Sequence, residues 1–163
     1  MQTIPARMKY LRNAETICAF ALPAIFCSQW QKSVDPVAWG VRGAALVLVS
    51  YILLQGGLYW QLKLQSVLQR QPLPSHFQPL YRFFKYSNLL IIIAVAAFIA
   101  ATAGATTAAD LWWSCGLLAF AVLEQINYYH YQLMYDTRAA FAYVRRNGRL
   151  RKAALGLDLE RQR

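Results

Sequence analysis

The chain predicts an all-α integral membrane protein: a four-transmembrane-helix bundle with a basic amphipathic C-terminal extension. Three observations carry this. Hydrophobic residues make up 58% of the 163-residue chain and charged residues only 15%, which leaves a water-soluble domain too little polar surface to cover its core. The apolar residues run in blocks instead of one-sided stripes, the pattern of helices surrounded by lipid. The 17 basic residues outnumber the 7 acidic ones and gather at particular block ends, as topology-setting charges do.

The first block, residues 14–30, is the shortest and contains Pro23, which a spanning helix tolerates when its neighbours satisfy the freed carbonyl. The second, residues 43–62, is broken by Gly56-Gly57, a pair that lets another helix approach closely. The third, residues 86–107, passes from Tyr86 and Asn88 through Leu89-Leu90-Ile91-Ile92-Ile93 to an alanine-rich half. The fourth, residues 111–135, carries Glu124 inside it. About 20 residues cross a bilayer, so the last three blocks qualify and the first is marginal. Residues 1–135 then form the transmembrane domain, and residues 136–163 a cytoplasmic basic interfacial helix or tail.

Charge orients the bundle. Arg7, Lys9 and Arg12 precede the first block, Lys63, Arg70, Arg82 and Lys85 lie between the second and third, and Arg138, Arg145, Arg146, Arg149, Arg151, Lys152, Arg161 and Arg163 follow the fourth. Lys32 and Arg42 fall near the other side, with Trp30, Trp39, Trp112 and Trp113 as an aromatic belt. The positive-inside rule puts both termini and the loop at residues 63–85 in the cytoplasm, and the expected location is the cell's inner membrane. A signal peptide is the rival reading of the N-terminus, but Phe26-Cys27-Ser28 is a poor cleavage site and no lipobox precedes Cys27.

Between the second and third blocks, Pro72, Pro74 and Pro79 forbid a continuous helix. Phe77, Leu80, Tyr81, Phe83 and Phe84 are expected along the membrane interface. In the tail, Ala139, Ala140, Tyr143 and Val144 form one apolar stripe, and after Gly148 a second follows in Leu150, Ala153, Ala154 and Leu157. Such a segment lies on an anionic inner leaflet, unless it is simply a solvated basic tail. Membrane lipids are therefore the expected partners, with a membrane-protein partner or a homo-oligomer compatible. No motif points to nucleic acid.

The chemistry-bearing residues cluster in the cytoplasmic half. Glu124 is an ionisable group inside an apolar block, which by default marks function. At 3.6 residues per turn Asn127, Tyr128 and Tyr131 share its face, and so would Tyr135, whereas His130 is rotated away. Gln55 and Tyr59 of the second block and Glu15 of the first lie at the same depth. Together Glu124, Asn127, Tyr128, Tyr131, Gln55, Tyr59, Glu15 and His130 outline a polar pocket for a lipid, quinone or similar amphipathic ligand. The alternative is a small proton-coupled transporter or intramembrane enzyme using Glu124, and the plainest reading is interhelical hydrogen-bonding glue.

No cofactor is identified by sequence. Cys18, Cys27 and Cys115 show neither metal-ligand nor Cys-x-x-Cys spacing, although Cys27 and Cys115 fall at a depth where a disulfide is conceivable. Two acids and one intramembrane histidine are too few for a bundle metal site. Protease motifs and phosphate-binding glycine loops are absent. The balance favours a non-enzymatic accessory or binding component.

Overall fold

The computed structural model describes residues 4–134 and 138–161. Among these residues the chain forms helices α1 (Ile4–Gln31), α2 (Trp39–Gln69), α3 (Phe77–Thr102), α4 (Ala108–Tyr129), α5 (Arg138–Asn147) and α6 (Ala154–Arg161), a 3-10 turn at Ala103–Ala105, and no strand. The all-helical class is as expected. Two helices, α2 and α3 continued through Ala105, are long and apolar enough to cross a membrane. The remaining long helices, α1 with 28 residues and α4 with 22, have sufficient length. Polar and aromatic residues dilute them: Glu15 and Gln29-Trp30-Gln31 in α1, and Asp110, Trp112-Trp113, Glu124 and Gln125 in α4.

The central element is α2, which packs against α1, α3 and α4. Its Ala45, Val49 and Ile52 are fully buried. Arg12 pairs with Gln61 and Trp30 with Trp39, so α1 and α2 run antiparallel; Gln55 pairs with Asn88 and Tyr59 with Phe77, so α2 and α3 do too. At α2's midpoint, Gly56 and Gly57 permit close approach. A Cβ at Gly56 would collide with the Tyr128 ring and hydroxyl, and one at Gly57 would meet Thr16 Oγ1 at 2.8 Å.

α1 and α2 extend beyond their apolar blocks at both ends and α3 begins before its block, because backbone hydrogen bonding does not require apolar side chains. One consequence corrects the expected interface. α3 begins at Phe77, with Pro79 in the first turn, where its missing N–H costs nothing. Phe77 and Tyr81 are thereby buried against Tyr59, at ring separations of 6.2 and 6.1 Å, rather than spread along the membrane interface.

A second correction concerns α4. It ends at Tyr129, not residue 135: the His130 and Tyr131 amides both donate to the Ile126 carbonyl. Tyr131 then pairs across an isolated β-bridge with Lys152, so it leaves the helical face it was expected to share with Glu124. Tyr135 lies outside the described residues.

The tail also departs from the expected stripe. Beyond α5, the chain returns to the bundle, and α6 packs on α4 and α3. The buried residues are Ala153, Leu155, Asp158 and Leu159, while Leu150 and Ala154 are exposed. Gly156 is required there, since a Cβ would meet the Tyr129 carbonyl oxygen at 2.7 Å.

At the opposite end, Trp30 contacts Phe26, Trp39 and Trp113 at 5.9–6.0 Å between ring centres, and the Arg42 guanidinium lies over the Trp30 ring. Three of the four tryptophans of the expected belt, Trp30, Trp39 and Trp113, thus pack on one another, while Trp112 is exposed. Cys18, Cys27 and Cys115 are free thiols, so the conceivable Cys27–Cys115 disulfide is not formed.

Candidate ligand cavity and polar networks

A cavity of about 360 Å³ opens at the tail end of the bundle between α1, α2, the end of α4 and α6. Its apolar walls include Met8, Leu11, Trp60 and Leu155, and its polar groups include Glu15, Asn127 and Gln132. Glu15 is buried on the α2-facing side of α1 because Ala19, one turn on, packs into the core beside it. Its Oε2 accepts a 2.5 Å hydrogen bond from the Tyr128 hydroxyl. Tyr128 in turn occupies the space that Gly56 leaves open.

Of the eight residues outlined by sequence, four meet here: Glu15, Tyr59, Asn127 and Tyr128 all line this cavity. Glu124 stands just behind it, half-buried, accepting a 3.2 Å hydrogen bond from Asn127 Nδ2. Asn127 Oδ1 also accepts from the Leu133 amide at 2.9 Å, which fixes the chain after α4 as part of the site. His130 and Tyr131 belong to a separate, smaller cavity.

Gln55 lies instead in a buried amide network. It exchanges hydrogen bonds of 2.9 Å in both directions with Asn88, whose Nδ2 also donates to Gln125 Oε1 at 3.0 Å. Gln125 Nε2 donates to the Lys85 carbonyl, and the Tyr81 hydroxyl donates to the Gln55 carbonyl. Buried polar groups satisfied in this way lock α2, α3 and α4 in register. The role of Asn88 and Gln125 escaped the sequence reading, although their positions in apolar blocks were the available signal.

Two charged networks were likewise not foreseen. Asp158 of α6 accepts from the Tyr59 hydroxyl at 2.8 Å and from Lys63 Nζ at 2.6 and 2.8 Å, tying the tail over the cavity. At the tryptophan end, Asp110 closes a capping box with Thr107 and accepts from Arg42 Nε at 2.7 Å and from the Ala38 amide. Burial disfavours its charge, but the bonds from Thr107 and Ala38 and the Arg42 guanidinium outweigh burial and hold its carboxyl below the ordinary 3.8.

Among the described residues, no three His, Cys, Asp or Glu side chains converge as metal ligands would. What the arrangement can do chemically is bind: an apolar chamber with the Glu15 carboxylate, the Asn127 and Gln132 carboxamides and the Arg7 guanidinium among its lining, closed by a tethered helix. Comparison of the chain with protein-family models, with curated proteins and with solved structures yields no match.

Proposed function

We propose that the chain is an integral protein of a cell's inner membrane in which all four long helices cross the bilayer, α4 with its residues 111–129 and with Asp110 and His130 flanking that span. The tail end faces the cytoplasm. The protein acts as a non-enzymatic binding or accessory component, holding a lipid, quinone or similar amphipathic molecule in the Glu15–Tyr128 cavity.

The membrane placement is supported by what α3 exposes. Only 22% of its most apolar 18-residue stretch is buried, and Leu90 and Ile93 are 69% and 57% exposed. In water, an apolar face of this length would drive association. Ile17 and Phe20 of α1 and Phe120 and Leu123 of α4 are exposed in the same way, which is why those two helices are assigned to the membrane as well. The cytoplasmic direction follows from Arg7, Lys9, Arg12, Lys63, Arg70, Arg82 and Lys85 at the tail end.

The binding role is carried by the cavity itself. A chamber with mostly apolar walls and a few convergent polar groups is the form of an amphipathic-ligand site. Native mass spectrometry of the detergent-extracted full chain tests it. The wild type is expected to retain a discrete small-molecule adduct, and Leu11→Trp, which fills the chamber, to lose it without loss of helicity. A wild type free of adducts, or an adduct indifferent to Leu11→Trp, overturns the reading.

The bond from Asn127 to Glu124 favours one second reading, a proton-coupled transporter or intramembrane enzyme in which Glu124 exchanges a proton behind the cavity. Glu124→Gln keeps the hydrogen bond and removes the titration. Loss of a pH-dependent activity in that variant, with the adduct retained, selects this second reading.

A further inference from the structure

A second cavity of about 210 Å³ lies at the same end, between α3, the segment after α4 and α6, lined by Lys85, Tyr129, His130, Tyr131, Lys152 and Glu160. Its lining is mostly basic and polar. Lys85 and Lys152 carry ammonium groups, whereas burial and then the nearby Lys85 push the His130 imidazole below its ordinary range and favour its neutral form, which still offers one ring N–H as a donor. The single anion is Glu160, which accepts from Lys152 Nζ at 3.0 and 3.1 Å. That pair is 58% and 62% exposed, so it contributes little and leaves Lys152 open to a better acceptor. Phosphate oxygens are such acceptors for an ammonium.

The cations are held by backbone from separate segments. Lys152 is fixed by its bridge to Tyr131 and by the flanking bonds Gln132 N–H to Arg151 O and Ala153 N–H to His130 O. Lys85 is fixed through its carbonyl, which accepts from the buried Gln125. One and two turns along α3 from Lys85 stand Leu89 and Ile93, 50% and 57% exposed. They make an apolar track leading away from the cleft towards the tryptophan end.

We propose that the cleft walled by Lys85, His130, Tyr131 and Lys152 holds the phosphate of an anionic phospholipid whose acyl chain lies along the Leu89–Ile93 side of α3. The proposal rests on the membrane placement of α3 but not on the ligand of the larger cavity. Free phosphate shares the headgroup chemistry but has nothing to place on the apolar track.

Native mass spectrometry of the full chain in detergent, titrated with phosphatidylglycerol, with diacylglycerol of the same chains, or with inorganic phosphate, separates these cases. Phosphatidylglycerol is expected to bind, and the double variant Lys85→Gln, Lys152→Gln to weaken it about thirtyfold, given the size of each headgroup–lysine attraction. Lys85→Arg with Lys152→Arg is expected to restore it. Arg145→Gln with Arg149→Gln, which removes equal charge from exposed positions elsewhere in the tail, is expected to leave it unchanged.

Equal weakening by the two Gln pairs, or no weakening by either, overturns a defined site. Diacylglycerol bound as well as phosphatidylglycerol overturns the phosphate. Inorganic phosphate bound as tightly overturns the lipid. The larger cavity is read separately, since Leu11→Trp removes its adduct and should leave phosphatidylglycerol binding intact.

Discussion

Gly56 sits where Tyr128 crosses α2, and the absence of a side chain there lets that tyrosine reach Glu15. Gly116 of α4 is the contrasting case, an exposed helical glycine with nothing within 4 Å of an added Cβ. Gly116→Ala is therefore expected to stabilise the protein by about 0.5–1 kcal/mol through helix propensity. Gly56→Ala is expected to cost about 1–3 kcal/mol by overpacking. Thermal unfolding in detergent reads both, and a Gly56→Ala variant as stable as Gly116→Ala would show that the close crossing does not exist. At this scale the sequence is legible only in part. It brought Glu15, Tyr59, Asn127 and Tyr128 to one depth, and they share a cavity. It gave Glu124 first place, whereas Glu15 is the carboxylate that lines the chamber. Depth can be counted along a helix, but which way a side chain faces depends on the helix packed beside it.

Among the elements, α6 is the one whose position matters most and was least legible. Its eight residues bury Leu155 and Leu159 and place Asp158 between Tyr59 and Lys63. A helix this short is marginal alone, so the tether to α2 is expected to hold it. Asp158→Asn retains an acceptor for Tyr59 but gives up the charge facing Lys63. Hydrogen bonds to charged groups contribute about 1.5–3 kcal/mol, so exchange of the Ala153 and Leu157 amides is expected to quicken about tenfold. Glu160→Gln, which breaks an exposed pair, should leave both amides unchanged. Unaltered exchange in Asp158→Asn would mean that Leu155 and Leu159 suffice to hold the helix. The apolar stripe read in the tail misjudged this packing, because a single buried carboxylate set the rotation of α6. The end of α4 was similarly hidden: nothing in Tyr129-His130-Tyr131 signals a stop, and the chain leaves the helix to pair with the tail.

For the whole molecule, the proposal of four crossings makes each connection testable by labelling. In a background without Cys18, Cys27 and Cys115, Val34→Cys and Ala105→Cys are expected to react with an impermeant maleimide on intact cells. Ser75→Cys and Arg149→Cys should react only after permeabilisation. All four positions are exposed in the fold, so a missing signal reports sidedness rather than burial. Val34→Cys and Ser75→Cys labelled from one side would remove α2 from the membrane, and Ala105→Cys and Arg149→Cys labelled from one side would remove α4.

The amino-acid sequence by itself determined the all-helical class, the long apolar helices, the gathering of the tryptophans at one end and of the basic residues at the other. These follow from composition and from apolar runs, which are local properties of a chain. Only the tertiary structure decided that Gln55, Asn88 and Gln125 form one buried network, that Arg42 answers Asp110, and that Asp158 closes the tail over the Glu15 cavity. Those pairings join residues far apart in the chain, and a burial penalty for each polar group selects its partner only once the helices are packed.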